Sequence, residues 1–357
     1  MCGCVLAERL ASQLNKTVLI VEQRDHIGGN CYDFYNADGL LVHKYGPHWF
    51  HTNDSRVFQY LSQFTKWRFH EHRVRSSVEG KLLPFPINQE TINRLYGLSL
   101  KTAQDTQEFY DSVRIKGIVQ PANAEEMIVS RVGWDLYNKF YRNYTVKQWG
   151  MDPKCLVPSV TARIPVRLDT DDRYFTDRFQ GLPENGYLNL FNEMLSSKNI
   201  KCVLNTDFKD IMHSIQSNKT IYTGSIDHYF DYRFGVLPYR SLRFEHETLN
   251  TEYFQSFQQI NYPNSFDFTR IVEWKHATGN KGFKTTITRE YPCRHDQTNE
   301  KLYPIATKKN LGIVRKYEQE AAKLKDVIFC GRLAEYKYYN MDQVVARALS
   351  IFKRLAC

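Results

Sequence analysis

Glu22 closes a short apolar run, Val18-Leu19-Ile20-Val21. In a dinucleotide-binding fold, an acid ending the second strand accepts hydrogen bonds from the two hydroxyls of an adenosine ribose. An acid that closes a strand can equally be solvated, and position alone favours neither reading. His48 and His51 lie in the turn Gly46-Pro47-His48-Trp49-Phe50-His51. Three residues apart with no third ligand in view, they are poor metal candidates. The eight cysteines include no CxxC pair, and several sit in apolar strand-like runs such as Lys201-Cys202-Val203-Leu204. They read as buried free thiols in a reducing compartment, so neither zinc nor a disulfide framework is expected. The net charge of +9 calls for an anionic partner. Its Lys and Arg are dispersed, without a basic block or a nucleic-acid module, and a phosphorylated small molecule fits as well as nucleic acid. The 23 Tyr and 22 Phe set against 18 Gly exceed ordinary usage and raise the question of a stacking site beyond core packing.

The elements that must position these groups follow from periodicity. Residues 8–14 read as a helix with Leu6, Leu10 and Leu14 on one face. The run 17–22 reads as a buried parallel strand. Helices are expected at 89–97, 102–116, 124–132 and 133–144, and strands at 201–204, 220–222, 239–245, 269–274 and 284–290. A helix at 310–324, a strand at 327–330 and a closing helix from Met341 to about residue 355 return to α/β order. The succession of α/β, helical insertion, sheet and α/β argues for a split nucleotide-binding domain. At 357 residues, more than one subdomain is expected. No apolar run of 18 residues and no secretory leader is visible, which reads as a cytoplasmic protein without a membrane span.

The stretch Glu22-Gln23-Arg24-Asp25-His26-Ile27-Gly28-Gly29-Asn30 resembles the E-x-R-x-x-x-G-G segment of two-dinucleotide-binding flavoproteins of the amine-oxidase type. There the paired glycines let the backbone approach the FAD pyrophosphate. Val327-Ile328-Phe329-Cys330-Gly331-Arg332 is similar to the strand and turn that lie beside FAD in the same proteins. Three longer stretches resemble the bacterial-type UDP-galactopyranose mutases: residues 43–53 (HKYGPHWFHTN), 143–150 (NYTVKQWG) and 230–242 (FDYRFGVLPYRSL). The resemblance covers essentially the whole chain from Gly3 onward.

It implies an isomerase that interconverts UDP-galactopyranose and UDP-galactofuranose, with N5 of reduced FAD as nucleophile, and supplies galactofuranose for surface glycans. The implied architecture is α/β: a split Rossmann-like FAD-binding domain with a helical insertion and an antiparallel sheet domain. Its segments are 1–87 and 301–357 for the two parts of the FAD domain, 88–151 for the insertion with a uridine site and a dimer contact, and 152–300 for a mobile lid, a middle FAD segment and the sheet. Carried over by motif, Arg163 and Arg270 bind the diphosphate, for which planar guanidinium groups are suited. Tyr174, Tyr303 and Tyr338 hydrogen-bond the phosphates. Phe140 and Tyr144 flank the uracil with Thr145 beside them, although Phe140 and Tyr144 also have the spacing of a buried helical stripe. Trp149 packs near the sugar, and Asn261 contacts the nucleotide. On the cofactor side stand Gly3, Glu22, Arg24, Gly28, Gly29, Asn30, His48, Arg332, Asn340 and Met341. His51 lies near the flavin N5, where an imidazole could shuttle a proton; His43 reads as structural. A homodimer is expected.

Two departures stand out. The family pattern begins with an apolar strand and a full G-x-G-x-x-G turn, whereas here Gly3 matches only the last glycine and the first strand is missing. About a dozen residues carrying that strand are expected upstream. Asn340 stands where the family usually has aspartate, keeping hydrogen bonding but losing charge. Two other readings stay open: an FAD-dependent oxidoreductase of the amine-oxidase-like type, which shares Glu22, Gly28-Gly29 and the Gly331 turn but leaves the 144–150 stretch and the arginines and tyrosines unexplained, and a truncated mutase that binds UDP-sugar without catalysis.

Overall fold

The computed structural model describes residues 1–296 and 298–356. The chain divides into two compact units. One comprises Met1–His70, Asp177–Pro238 and Lys309–Cys357; the other comprises Glu71–Thr176 and Tyr239–Lys308. These boundaries differ from the four segments expected above. The first α/β segment ends at His70 rather than at 87, and the helical insertion shares a unit with the large sheet; the first unit also takes in residues 177–238.

In the first unit the opening helix runs from Cys2 to Leu14, six residues longer than its apolar spacing suggested. It buries Cys4, Val5, Leu6, Ala7, Glu8 and Ala11, while Leu10 and Leu14 are only partly covered. Asn15, in the left-handed region at φ 50, ends it, as a short polar side chain can. The closing helix Met341–Ala356 packs against this helix through Val344, Val345, Ala348 and Ile351. Val18–Val21 pairs in parallel with Ile200–Val203, and Thr220–Tyr222 pairs in parallel with Val327–Phe329. The run at 18–21 is not the buried strand its composition predicts: Leu19 is 42% exposed. Among the described residues this strand has a neighbour on one edge, so its apolar side chains are covered from fewer directions. Cys202 is correspondingly exposed on the paired strand, against the expectation of burial. Cys155 is exposed too, whereas Cys2, Cys4, Cys31 and Cys330 are buried free thiols. Cys357 lies outside the described residues.

The second unit is built on a seven-stranded sheet in the order 303–304, 239–249, 285–294, 270–273, 259–261, 74–78 and 81–85. Its helices cover Gln89–Tyr96, Ala103–Val113 and Ala124–Leu136, followed by a π-helical turn at Tyr137–Arg142 and the helix Asn143–Trp149. Asn88 and Thr102 start the first two of these with reciprocal side-chain-to-backbone capping. The boundary expected between 132 and 133 is a true break. Gly133 has φ 77 and ψ 178, and the chain kinks there. The core between helices and sheet contains Val74, Leu83, Phe85, Ile92, Ile128, Val132, Leu136, Tyr137 and Phe140.

Candidate functional site

In the first unit the acid and the glycine turn converge. Glu22 follows the strand Val18–Val21, and its Oε1 accepts the backbone N–H of Arg24 at 3.0 Å. The Arg24 Nη2 donates to Asn30 Oδ1 at 2.8 Å, and its guanidinium lies 4.5 Å above the Tyr45 ring. Arg24 and Asn30 thus tie together the two ends of the turn that carries Gly28 and Gly29. Gly28 has φ 94, and a Cβ there would stand 2.7 Å from the Phe191 ring. Gly29 is also left-handed, but a Cβ there would meet no atom within 4 Å. The backbone at Gly29 therefore faces open space on a turn anchored from below, a geometry that fits a pyrophosphate. Burial raises the Cys31 thiol, and the charge of Arg332 acts in the opposite direction. Arg332 itself donates to Tyr339 O at 2.6 Å and lies 4.7 Å above the ring of Tyr338, which is 37% exposed. Asn340 directly precedes the closing helix, its backbone N–H donating to Gln343 Oε1, and Met341 begins the helix. Gly3 lies in the first turn of the opening helix, where a Cβ would meet only Thr223 at 3.9 Å.

The histidine turn is rigidly held. His48 donates its backbone N–H to His43 Nδ1 (3.1 Å) and its own Nδ1–H to Gly46 O (2.9 Å), and its carbonyl accepts from the Tyr187 hydroxyl (2.8 Å). Burial, with His48 close by, drives His43 well below the usual imidazole range, so it serves as the neutral structural acceptor expected of it. His51 lies on the strand Phe50–Thr52 and donates Nδ1–H to Asp177 Oδ2 at 3.0 Å, while Asn53 donates to the other oxygen of that carboxylate. Asp177 was missed in the sequence because the partnership spans 126 positions. Among the described residues no group of three His, Cys, Asp or Glu side chains is arranged to hold a metal ion.

Asp33 was also missed. It accepts the backbone N–H groups of Tyr187 (2.6 Å) and Leu188 (2.8 Å), at the start of the helix Gly186–Met194. Burial pushes its carboxyl up to about 6 despite these donors. Because the folded value lies above the unfolded one, the stability Asp33 contributes is complete below about pH 4 and is lost as pH rises through about 6. Urea unfolding of the wild type and Asp33→Asn at pH 4 and pH 6.5 should therefore show the wild type losing about 2 kcal/mol relative to the variant. Parallel pH profiles would contradict this.

In the second unit the arginine and tyrosine candidates assemble across the sheet. Asn261 pairs with Arg270, and Arg270 with Glu290, on three adjacent antiparallel strands. Directly paired residues project from the same face, so the three side chains form one row. Arg270 Nε donates to Glu290 Oε2 at 2.7 Å. Burial opposes the charged guanidinium, but Glu290, Tyr144 and Tyr303 outweigh it and hold Arg270 above the ordinary arginine range. Burial raises the Tyr144 hydroxyl, with Arg270, Glu290, Tyr174 and Arg163 all acting on it. One neighbourhood therefore collects Arg163, Arg270, Tyr144, Tyr174 and Tyr303. Trp149 packs edge-on to Tyr303 at 6.2 Å. Asn261 accepts through Oδ1 from Gln259 Nε2 at 2.9 Å, which leaves its NH2 as the donor it offers. Thr145 is buried in the helix Asn143–Trp149. Arg163 is exposed at the end of the short helix Ser159–Ala162. Phe140 is 2% exposed and belongs to the core against Phe85; of the two readings open for it, the buried stripe is the one its surroundings match.

Two supports were not singled out from sequence. Lys147 donates to the carbonyls of Tyr262, Ser265, Phe266 and Phe268, and so holds the hairpin between Asn261 and Arg270. Arg240 donates to the carbonyls of Gln148 and Lys147, closing the C-terminal end of the helix that carries Tyr144 and Trp149. A cavity of about 370 Å³ lined by Asp33, Tyr35, Leu41 and Leu188 contains none of the candidate residues.

The fold and these residues place the chain among proteins with a Rossmann-like dinucleotide-binding domain; a family model for the NAD(P)-binding Rossmann-like domain matches residues 1–64. A second model, UDP-galactopyranose mutase, matches residues 139–338. The dTDP-fucopyranose mutase of Escherichia coli is 35% identical over 97% of this chain and 94% of its own. A probable UDP-galactopyranose mutase of Klebsiella pneumoniae is 34% identical over 97% and 90%, and the UDP-galactopyranose mutase of Mycoplasma genitalium 34% identical over 99% and 92%. The crystal structure of reduced UDP-galactopyranose mutase superposes with a TM-score of 0.80 at 14% identity, covering 99% of this chain and 92% of that one. A putrescine oxidase triple mutant superposes with a TM-score of 0.62 at 10% identity, covering 99% and 96%. The chain belongs to the UDP-galactopyranose mutase family, a family of isomerases. No helix among the described residues is long and apolar enough to cross a membrane.

Proposed function

We propose that this protein interconverts UDP-galactopyranose and UDP-galactofuranose with FAD as its cofactor in the reduced state. The observation that carries the reading is the row Asn261–Arg270–Glu290 with Tyr144, Tyr174, Tyr303 and Arg163 around it. It suits a diphosphate beside a flat base. When bound, reduced FAD supplies a nucleophilic N5 for the anomeric carbon.

The chain's own residues do the rest. Glu22 accepts from the adenosine ribose, the Gly28–Gly29–Asn30 turn and Arg332 receive the pyrophosphate, Gly3 admits it closely, and Arg24 holds the turn. Asn340 and Met341 present the start of the closing helix to the cofactor. His48 shapes the loop, and His51, with its tautomer set by Asp177, holds or moves a proton near the flavin. Arg270 and Arg163 donate charge-assisted hydrogen bonds to the diphosphate and stabilise it as it leaves and returns. Tyr174, Tyr303 and Tyr338 donate to phosphate oxygens. Tyr144 stacks on the uracil, backed by Phe140 from the core and flanked by Thr145, while Asn261 offers its amide hydrogens to the nucleotide. Trp149 borders the sugar. The product would feed surface glycans from the cytoplasm, with the protein acting as a homodimer.

Purified protein incubated with UDP-galactofuranose should form UDP-galactopyranose, resolved by ion-exchange chromatography, and should do so only with dithionite. A parallel assay with dTDP-fucofuranose reads the alternative suggested by the 35% relative. Colourless protein that binds UDP without converting either substrate would support the binding-only reading instead.

A further inference from the structure

We infer that Glu290 is the positioning residue for Arg270: it locks the guanidinium through Nε so that its two terminal nitrogens face the diphosphate. This rests on the function proposed above. Glu290 is 0% exposed, whereas one fifth of the Arg270 side chain remains accessible. An anion can therefore reach the arginine but not the carboxylate behind it. The Arg270 Nε bond to Glu290 Oε2 is the guanidinium's one hydrogen bond among the described residues, and the other carboxylate oxygen, Oε1, has no partner. A buried carboxylate with one oxygen unsatisfied is costly to keep, and apolar side chains of similar size would stabilise this part of the sheet at least as well. The pair is thus poorly explained by stability and well explained by orientation.

The register makes the orientation rigid. Glu290 and Arg270 are directly paired, and the Thr269 N–H donates to the Glu290 carbonyl at 2.9 Å, so neither backbone can slide relative to the other. A free arginine has four side-chain torsions to order when an anion binds. Tying Nε removes much of that freedom before binding and fixes the plane of the guanidinium fork. Burial raises the Glu290 carboxyl and Arg270 pulls it back, so the two hold each other when no diphosphate is present, and the arginine gains an anionic partner on its accessible side when one arrives.

The test is the dissociation constant of UDP, by titration calorimetry, for Glu290→Gln, Glu290→Asp and Glu290→Met, each alone and combined with Arg270→Ala. Glutamine keeps an acceptor at the same reach and should weaken UDP least, by about threefold. Aspartate keeps the charge but withdraws it by one methylene, and methionine removes the acceptor; each should weaken UDP by about tenfold or more. In the Arg270→Ala background none should weaken UDP further, because the residue acts through the arginine. Should Glu290→Met fail to fold by near-UV circular dichroism, Glu290→Asp gives the same reading. Wild-type affinity in Glu290→Asp and Glu290→Met, or a loss that persists without Arg270, overturns the positioning role. A wild type that binds UDP but does not convert UDP-galactofuranose would sink the proposed reaction while leaving the coupling measurable. Conversion without coupling would sink the positioning role alone, and absence of UDP binding would sink both.

Discussion

Arg270→Ala is expected to lower kcat/KM for UDP-galactofuranose by about 10³-fold and to weaken UDP binding by at least about tenfold. Arg270 is the one cation of the cross-strand row, and its terminal nitrogens carry no hydrogen bond among the described residues. Negative charge on the diphosphate grows as the bond to the sugar breaks, so the arginine matters more to the departing group than to the bound substrate. The loss should therefore be larger in kcat than in UDP affinity. The same change leaves Glu290 buried without its partner, which by itself costs about 3–5 kcal/mol of stability unless the carboxyl takes up a proton. Steady-state kinetics under dithionite, together with thermal unfolding, separates the two effects. Arg270→Lys keeps the charge but loses the Nε–H and the fork, and should recover only part of the rate. An Arg270→Ala enzyme with near wild-type kcat/KM would remove Arg270 from the reaction.

Gly133→Ala is expected to destabilise the second unit by at least about 4 kcal/mol, lowering its unfolding midpoint by roughly 8–16 °C. The conformation at φ 77, ψ 178 is open almost only to glycine. Independently, a Cβ there would lie 2.2 Å from the Val113 carbonyl oxygen and 2.8 Å from its carbon. A backbone atom cannot swing aside as a long side chain can, so the kink or the end of the helix Ala103–Val113 must shift. That would disturb the core in which Val129, Val132 and Tyr137 pack. Gly29→Ala is the comparison: it is also left-handed but meets no atom within 4 Å, so its cost should stay near 1 kcal/mol. Equal midpoints for the two variants, followed by circular dichroism, would refute the steric argument.

Much of the secondary structure is legible from local pattern. The strand at 220–222 falls where its β-branched residues put it, and 285–294 and 327–329 lie within a few residues of expectation. The break at Gly133 was visible because glycine interrupts a helical period. Short strands were not visible. Phe50–Thr52 and Trp67–Phe69 are three residues long and exist because Phe179–Pro183, more than a hundred positions away, pairs with both. A three-residue run carries too little periodicity to announce itself. The helix Cys2–Leu14 was underestimated at its start because Cys2-Gly3-Cys4 has no helical signature, and burial against the closing helix stabilises it there.

The candidate site divides along the same line. Residue type and local spacing determined that the chain holds an acid after a strand, a paired-glycine turn, a histidine turn and an aromatic helix. The long motifs determined the family. None of these states which charges meet. Arg270 and Glu290 are twenty positions apart, and only the antiparallel register sets them side by side. Asp177 reaches His51, and Asp33 the helix at Gly186, by the same kind of long-range pairing. The apolar run at 18–21 makes the point in the opposite direction. Its composition determined that it would be a strand, but its burial depends on the neighbours along its edges, and Leu19 is left exposed. Dihedral preference and the hydrogen bonds inside helices and tight turns act between near neighbours and are written locally. Burial and ion pairing depend on distances through space, which only the folded chain sets.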